Sequence, residues 1–332
     1  VLGGRSVFNF LRLSNTPQLT ALGGINISQK SDDIGMTFNN PALFTPAMHT
    51  QANAVFNDFY GGIKVFHLSM GYHHPRLNTD FTGGIHFFNY GSTIETDAGG
   101  NVLGKFHPVD WVLQLGASKT YLEKWRYGAA IKFISSNYGQ YRSNGIATDV
   151  AVLYSDSAKR LTVSFMVKNL GVQLKKYSGE REELPFDMQA GITRRLAKAP
   201  FSFSLTAQRL HQYDILYNDT VFNNANGYPN APAKFSVGKL LDHLVLGTTI
   251  HIHEKLEVQA GYNFLRRREL NVGKAGNGLN GFSVGAAVLL GKLSIRYARA
   301  YYQSAAAYNQ IGLNLPLNQY FNLGKSGEKN GW

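Results

Sequence analysis

An alternation of apolar with polar or small residues recurs about fourteen times between residues 51 and 317, and it limits the possible folds more than any other feature. Trp125, Tyr127, Ala129, Ile131 and Phe133 interleave with Arg126, Gly128, Ala130, Lys132 and Ile134. Leu256, Val258, Ala260, Tyr262 and Phe264 interleave with Glu257, Gln259, Gly261 and Asn263. Successive strand side chains point to opposite faces, so each stretch has one oily face and one polar or small face. With connections that alternate short and long, the pattern predicts an all-β membrane protein. The expected form is a closed, fourteen-stranded antiparallel outer-membrane β-barrel.

Composition fits that reading. Of 332 residues only 16% are charged, and 13% are aromatic. Mean hydropathy is −0.20, and no apolar run approaches the roughly 18 residues of a spanning helix. A barrel tolerates this because half of each strand faces a polar interior. Cysteine is absent, which leaves neither disulfides nor thiolate metal ligands. The net charge of +12 is scattered rather than gathered into a nucleic-acid stripe, and favours anionic lipid or polysaccharide instead. Residues following Val1 lack the features of a signal peptide, so the expectation is a mature chain whose export signal has been removed.

Three regions are expected. Residues 1–50 lack the strand alternation yet are too apolar for a solvated tail, and are placed as a plug inside the barrel. Within them Pro17–Leu22 predicts a short helix ended by Gly23 and Gly24, and Asn39–Leu43 a turn and then a helix. Residues 51–317 form the barrel, and 318–332 a polar C-terminal tail. Strands are expected at 51–58, 61–73, 79–92, 106–120, 125–138, 141–154, 160–171, 184–196, 201–212, 243–253, 255–267, 280–290, 292–303 and 306–317. Long connections at Thr93–Lys105, Val172–Glu183, Tyr213–Asp242 and Arg268–Leu279 are assigned to the external side, and short turns to the periplasm. The second half of the longest loop, 234–243, has room for a short helix. Trp111, Trp125, Tyr72, Tyr121, Tyr154, Tyr262 and Tyr297 fit an interfacial belt, or simply strand propensity. Gly84, Gly116, Gly128, Gly191, Gly247, Gly261 and Gly285 fall on the inward face, where they either leave room for lumenal contents or mark bends.

Catalytic signals are weak. His251 and His253 share a strand face and His73 and His74 share a turn, but neither pair has a third ligand in register. Gly273–Gly278 lacks the spacing and the strand-to-helix setting of a phosphate loop. No cofactor motif is present, and the chain is expected not to be an enzyme. Charges assigned to the lumen are more telling: Lys132, Asp149, Glu257 and Arg296, with Asp32 and Asp33 of the plug, are expected to form an ion-pair network. Either it lines a permeation path or it pins the plug. On the external side, Lys175, Lys176, Tyr177, Glu180, Arg181, Tyr217, Phe222, Tyr228, Arg267 and Arg268 are candidates for a partner-docking rim, the alternative being solvated loop charge.

Gly4–Leu13, Ala21–Gly24, Asp32–Asp33 and Asn39–Leu43 resemble the PorQ group of outer-membrane barrels in the type IX secretion system of Bacteroidetes. Lys168–Gly171 and Gly179–Asp187 look like the same group, and the last of these is the most discriminating. Asn40, Pro41 and Ala42 form a step shared with the wider fatty-acid-transporter (FadL-like) type of barrel, and Asn39, Asn40 and Pro41 are assigned to the plug. The resemblance implies a plugged fourteen-strand barrel that anchors PorZ at the cell surface, beside the PorU sortase and its barrel partner PorV. There secreted cargo is processed and linked to anionic lipopolysaccharide, the chemistry belonging to PorU. Two rival readings are a transporter of hydrophobic small molecules and, less favoured, a hydrolase built on His251 and His253.

Overall fold

The computed structural model describes residues 6–216, 236–270, 278–301 and 307–321. Among the described residues there are sixteen strands: β1 Gln51–Asp58, β2 Lys64–His74, β3 Thr79–Asn89, β4 Thr93–Thr96, β5 Val102–Phe106, β6 Val109–Tyr121, β7 Trp125–Tyr138, β8 Tyr141–Asp156, β9 Leu161–Lys175, β10 Asp187–Arg195, β11 Phe201–Ala207, β12 Leu244–His253, β13 Leu256–Asn263, β14 Phe282–Leu289, β15 Ser294–Tyr301 and β16 Ala307–Pro316. Fourteen of them close into an antiparallel barrel, with β1 pairing β16 in the register Val55↔Gly312, while β4 and β5 form a separate hairpin. Closure leaves no unpaired edge, as a sheet in lipid requires.

The sequence alternation becomes an alternation of exposure. Along β2, Val65, His67 and Ser69 are buried while Phe66, Leu68 and Met70 face outward. Leu115, Ile131, Leu246 and Val284 continue that oily outer surface around the cylinder. Aromatic pairs lie near the strand ends: Trp125 with Tyr154 and Tyr121 with Tyr127 at the short-turn end, Trp111 with Phe133 and Tyr262 with Phe282 at the other. No helix among the described residues is long and apolar enough to cross a membrane.

Several boundaries differ from the sequence expectation, each with a local cause. β9 runs on to Lys175, so the loop expected from Val172 is shorter. β10 begins only at Asp187, because Pro185 has no N–H for the ladder. β13 ends at Asn263, whose Oδ1 accepts from the Arg266 backbone N–H at 3.0 Å and caps a helix over Phe264–Leu270. The Thr93–Lys105 connection holds the β4–β5 hairpin, whose turn is organised by Asp97 Oδ1 accepting from the backbone N–H groups of Gly99 and Asn101. Hydrogen bonds from Asn101 hold the Asp97 carboxyl below its ordinary range. At the long-loop end β7 and β8 are joined by Gly139 and Gln140 alone, Gly139 supplying a φ of +68°. A helix over Val237–Asp242 lies within the 234–243 stretch. Leu317–Phe321 is helical, so the expected tail begins as an ordered turn.

Residues 6–50 pack against the inward face of the barrel. Thr16 caps a helix over Pro17–Ala21 through the Leu19 N–H, and Asn40 caps a 3-10 turn over Pro41–Leu43 through the Ala42 N–H. The short helix expected after the turn at Asn39 is this 3-10 turn over Pro41–Leu43, and a further short helix over Met36–Asn39 precedes it.

Candidate functional site

The lumen is where polar chemistry concentrates. Inward glycines set how closely the N-terminal segment approaches the wall. An added Cβ on Gly261 would collide with the backbone of Leu22 and Gly23, one on Gly128 with Pro41 and Ala42, and one on Gly285 with Ala21. Gly84, Gly191 and Gly247 face the side chains of Phe38, Ile27 and Leu22, with wall atoms nearer still at Gly84 and Gly247. Gly116 differs, since its neighbours are Thr82, Ala129 and Ala130 of the wall itself. Hydrogen bonds then fix the segment in register: Asn26 Nδ2 to Ser204 Oγ at 2.8 Å, Thr20 Oγ1 to Gln310 Oε1 at 2.6 Å, and Lys30 Nζ to Ser155 Oγ at 2.7 Å.

The expected single ion-pair network is instead two separate clusters. In the first, Lys132 Nζ lies 2.5 Å from Asp149 Oδ2 and donates to Asn169 Oδ1 at 2.8 Å, both charges being almost fully buried. Here Lys168 and Asn169 of β9 face Asp149 alone on β8, a bulge in which Asn169 takes a φ of +56°. The bulge turns the Asn169 N–H onto Asp149 Oδ1 at 2.8 Å and sends Lys168 Nζ to Asn39 Oδ1 at 2.6 Å. No plug carboxylate enters this cluster; Asn39 is the link.

The second cluster lies toward the short-turn end. Arg296, 2% exposed, pairs with Asp32 and reaches Asp33 Oδ2 at 3.8 Å and Glu257 Oε2 at 4.0 Å. Glu257 also accepts from His251 Nδ1 at 2.9 Å. Burial pushes the Asp33 carboxyl up from its ordinary range, with Arg296 the strongest opposing influence. Two charges removed from water need such partners, and losing one strands the other.

The two asparagines of the Asn39–Pro41 step fold the segment onto itself. Asn39 Nδ2 donates to Asn26 O and Asn40 Nδ2 to Ile27 O, each at 2.8 Å, with Ser164 Oγ of the wall at 3.1 Å from Asn40. Lys168–Gly171 and Gly179–Asp187 interlock at the long-loop end: Asn169 Nδ2 donates to Pro185 O at 3.0 Å, and the Val7 N–H to Glu183 O at 2.9 Å. The loop base is thus tied to both the bulge and the start of the N-terminal segment.

The rim residues are less unified. Lys175 closes β9, and Lys176 Nζ donates to Gly179 O at 2.7 Å. Glu180 and Arg181 are exposed, whereas Tyr177 is half-buried against Tyr138. Arg267 Nη1 donates to Gly278 O, and Arg268 pairs with Asp242 at 2.5 Å. Tyr217, Phe222 and Tyr228 lie outside the described residues. Beneath this rim a cavity of about 210 Å³ is lined by Leu11, Leu19, Leu265, Lys168 and Arg266 among others. Sequence reasoning missed Lys168 and Asn169 as lumenal groups, since a bulge breaks the period-two count that assigns faces.

The histidines do not assemble a metal centre. A register shift separates His251 from His253, His73 Nδ1 contacts Asp80, and His74 accepts from the Leu77 N–H. Among the described residues no three His, Asp or Glu side chains converge as a metal site would require.

No model of a known protein family matches the chain, and no curated protein matches its sequence. Solved structures do. A TodX monoaromatic hydrocarbon channel mutant is similar at a TM-score of 0.53 and 12% identity, over 91% of this chain and 97% of that one. A second mutant of the same channel gives 0.51 and 10% identity, over 90% and 97%. A FadL homologue of Pseudomonas aeruginosa is aligned over 95% and 100%, at 0.49 and 10% identity. At these identities the likeness concerns the fold alone, a closed, fourteen-strand antiparallel β-barrel of the kind seen in the TodX channel.

Proposed function

We propose that this barrel is a non-enzymatic anchor in a type IX secretion attachment complex, holding PorZ through its external loops beside PorU and PorV. The observation that carries the reading is the interlock at the long-loop end. The two segments with the strongest PorQ-type resemblance, Lys168–Gly171 and Gly179–Asp187, bond to one another and to the N-terminal segment through Asn169, Glu183 and Lys168. A loop base braced in this way presents a fixed surface, which a docking protein needs more than a substrate does. The two buried ion-pair clusters serve to pin the lumenal segment. Deleting Asn223–Pro232, or replacing Lys176 and Arg181 with Glu, should release PorZ into the medium while heat-modifiable migration shows an intact barrel. PorZ retained on the membrane by both variants would refute the loop assignment.

A second reading is passage of small hydrophobic molecules. It is favoured by the fold shared with a monoaromatic hydrocarbon channel and by a cavity that carries leucines on its wall, although Arg12, Lys168, Asp187, Arg209, Arg266 and Glu269 line it too. Liposomes containing the purified barrel would take up toluene faster than empty liposomes under this reading, and at the same rate under the anchor reading.

A further inference from the structure

A second cavity, of about 440 Å³, opens at the long-loop end and is lined by Phe8 and Phe10 of the N-terminal segment. Its wall carries four tyrosines, Tyr90, Tyr138, Tyr141 and Tyr177, and two carboxylates, Asp110 and Glu182. Ring centroids of Tyr90 and Tyr138 are 5.9 Å apart, as are those of Tyr138 and Tyr177, so three rings form a continuous aromatic wall. Tyr90 and Tyr138 both donate to Asp110 Oδ2, at 2.6 and 2.7 Å, which fixes both rings around one carboxylate.

The charge balance of this cup is unusual for the molecule. The whole chain carries +12, yet no Lys, Arg or His is among the residues lining the cup. Asp110 is 2% exposed, its Oδ1 forms no well-directed hydrogen bond although the Ser136 hydroxyl stands beside the carboxylate, and among the described residues neither Asp110 nor Glu182 forms a salt bridge. A buried carboxylate oxygen without a partner is costly unless a cation or donor completes it. Ring faces carry negative potential and attract cations within about 6 Å of the centroid.

We infer that the tyrosine cup is a binding site for an organic cation, a guanidinium or ammonium group, which sits against the ring faces and completes Asp110. A neutral sugar would also stack on tyrosine, but it would leave both carboxylates without a counter-charge. The inference stands apart from either reading of function, since a docking protein's Arg or Lys and a free small molecule present the same group.

The test uses the full chain in non-ionic detergent and isothermal titration with N-acetyl-arginine amide, its neutral isostere N-acetyl-citrulline amide, and methyl glucoside. Saturable binding of the arginine compound is expected, at least tenfold tighter than citrulline and weakened by salt. Asp110→Asn should weaken it at least tenfold, with heat-modifiable migration confirming the barrel. Should that variant not fold, Tyr141→Ser, at an exposed rim position, should weaken binding severalfold. A six-residue arginine peptide that binds tenfold tighter than the capped amino acid would identify a protein source, and equal affinity a small molecule. Glucoside or citrulline binding as well as arginine, no saturable arginine binding, or wild-type affinity in the folded variants would overturn the assignment.

Discussion

Replacing Gly261 with Ala adds one carbon and, net, two hydrogens to a barrel strand, yet it should loosen the lumenal segment more than any other single methyl. The added Cβ would overlap Gly23 N and the Leu22 carbonyl carbon and stand 2.6 Å from Ala21 O, all of them backbone atoms that cannot rotate away. The segment must retreat by about an ångström, on the ordinary close limit for carbon contacts. Four hydrogen bonds converge there: the Gly23 N–H to Ser283 Oγ at 3.1 Å, Ser283 Oγ to Ala21 O at 3.0 Å, Asn263 Nδ2 to Gly23 O at 3.2 Å, and Arg266 Nη2 to Gly23 O at 3.0 Å. At about 1 kcal/mol each their loss sets an upper bound near 4 kcal/mol, and overpacking elsewhere costs about 1–3 kcal/mol. A loss of about 2–4 kcal/mol in the local opening equilibrium corresponds to roughly 30- to 1,000-fold faster cleavage when opening is rapid. Limited trypsinolysis of the detergent-solubilised barrel, followed at the exposed Lys30, reads this directly. Gly83→Ala is the control, because its nearest neighbour is the flexible Leu115 side chain at 3.4 Å. If Gly261→Ala is cleaved within threefold of both wild type and control, close backbone approach is not what seats the segment.

Other consequences can be checked in the same preparation. Lys132→Met leaves Asp149 buried without its cation and should cost about 3–5 kcal/mol in guanidinium unfolding, most of it recovered in Lys132→Met/Asp149→Leu. Ile131→Arg, on the outer face at 50% exposure, should cost about 2–4 kcal/mol when folding into phosphatidylcholine vesicles is titrated with urea. Asn40→Ala removes the cap on Ala42 and the bond to Ile27 O, and should destabilise the segment by about 1–2 kcal/mol, measured as earlier proteolysis at Lys30. Because the folded pKa of Asp33 is raised, the folded state binds its proton more readily than the unfolded chain does, and this group's contribution to stability falls as pH rises above 3.8. Asp33→Asn should flatten that slope relative to wild type in acid unfolding curves.

The parts of this structure that were legible in the sequence are those with a short physical period. Alternation fixes which face of a strand meets lipid, so Phe66, Leu68 and Met70 and their counterparts declare the outside without any knowledge of pairing. The same count put Gly84, Gly128, Gly191, Gly247, Gly261 and Gly285 inside, where each now meets the N-terminal segment. Lumenal charge was legible for the same reason, since Lys132, Asp149 and Arg296 cannot face hydrocarbon. Which acid each base would meet was not legible, because that depends on how the segment threads the cylinder and on a bulge at Lys168 and Asn169.

That bulge also shows why face assignments fail where interactions gather. One extra residue in β9 shifts the count, so Lys168, which alternation alone would place differently from Asn169, reaches Asn39 while Asn169 serves Asp149 and Lys132. A regular ladder would give the wall only one of these two side chains. The irregularity therefore doubles the polar groups available at the one place where the wall, the lumenal segment and the Gly179–Asp187 loop must all be joined. The tyrosine cup obeys the same logic at longer range: Tyr90 follows β3 and Tyr138 ends β7, the two strands that flank β6 and its Asp110, while Tyr177, following β9, packs against Tyr138.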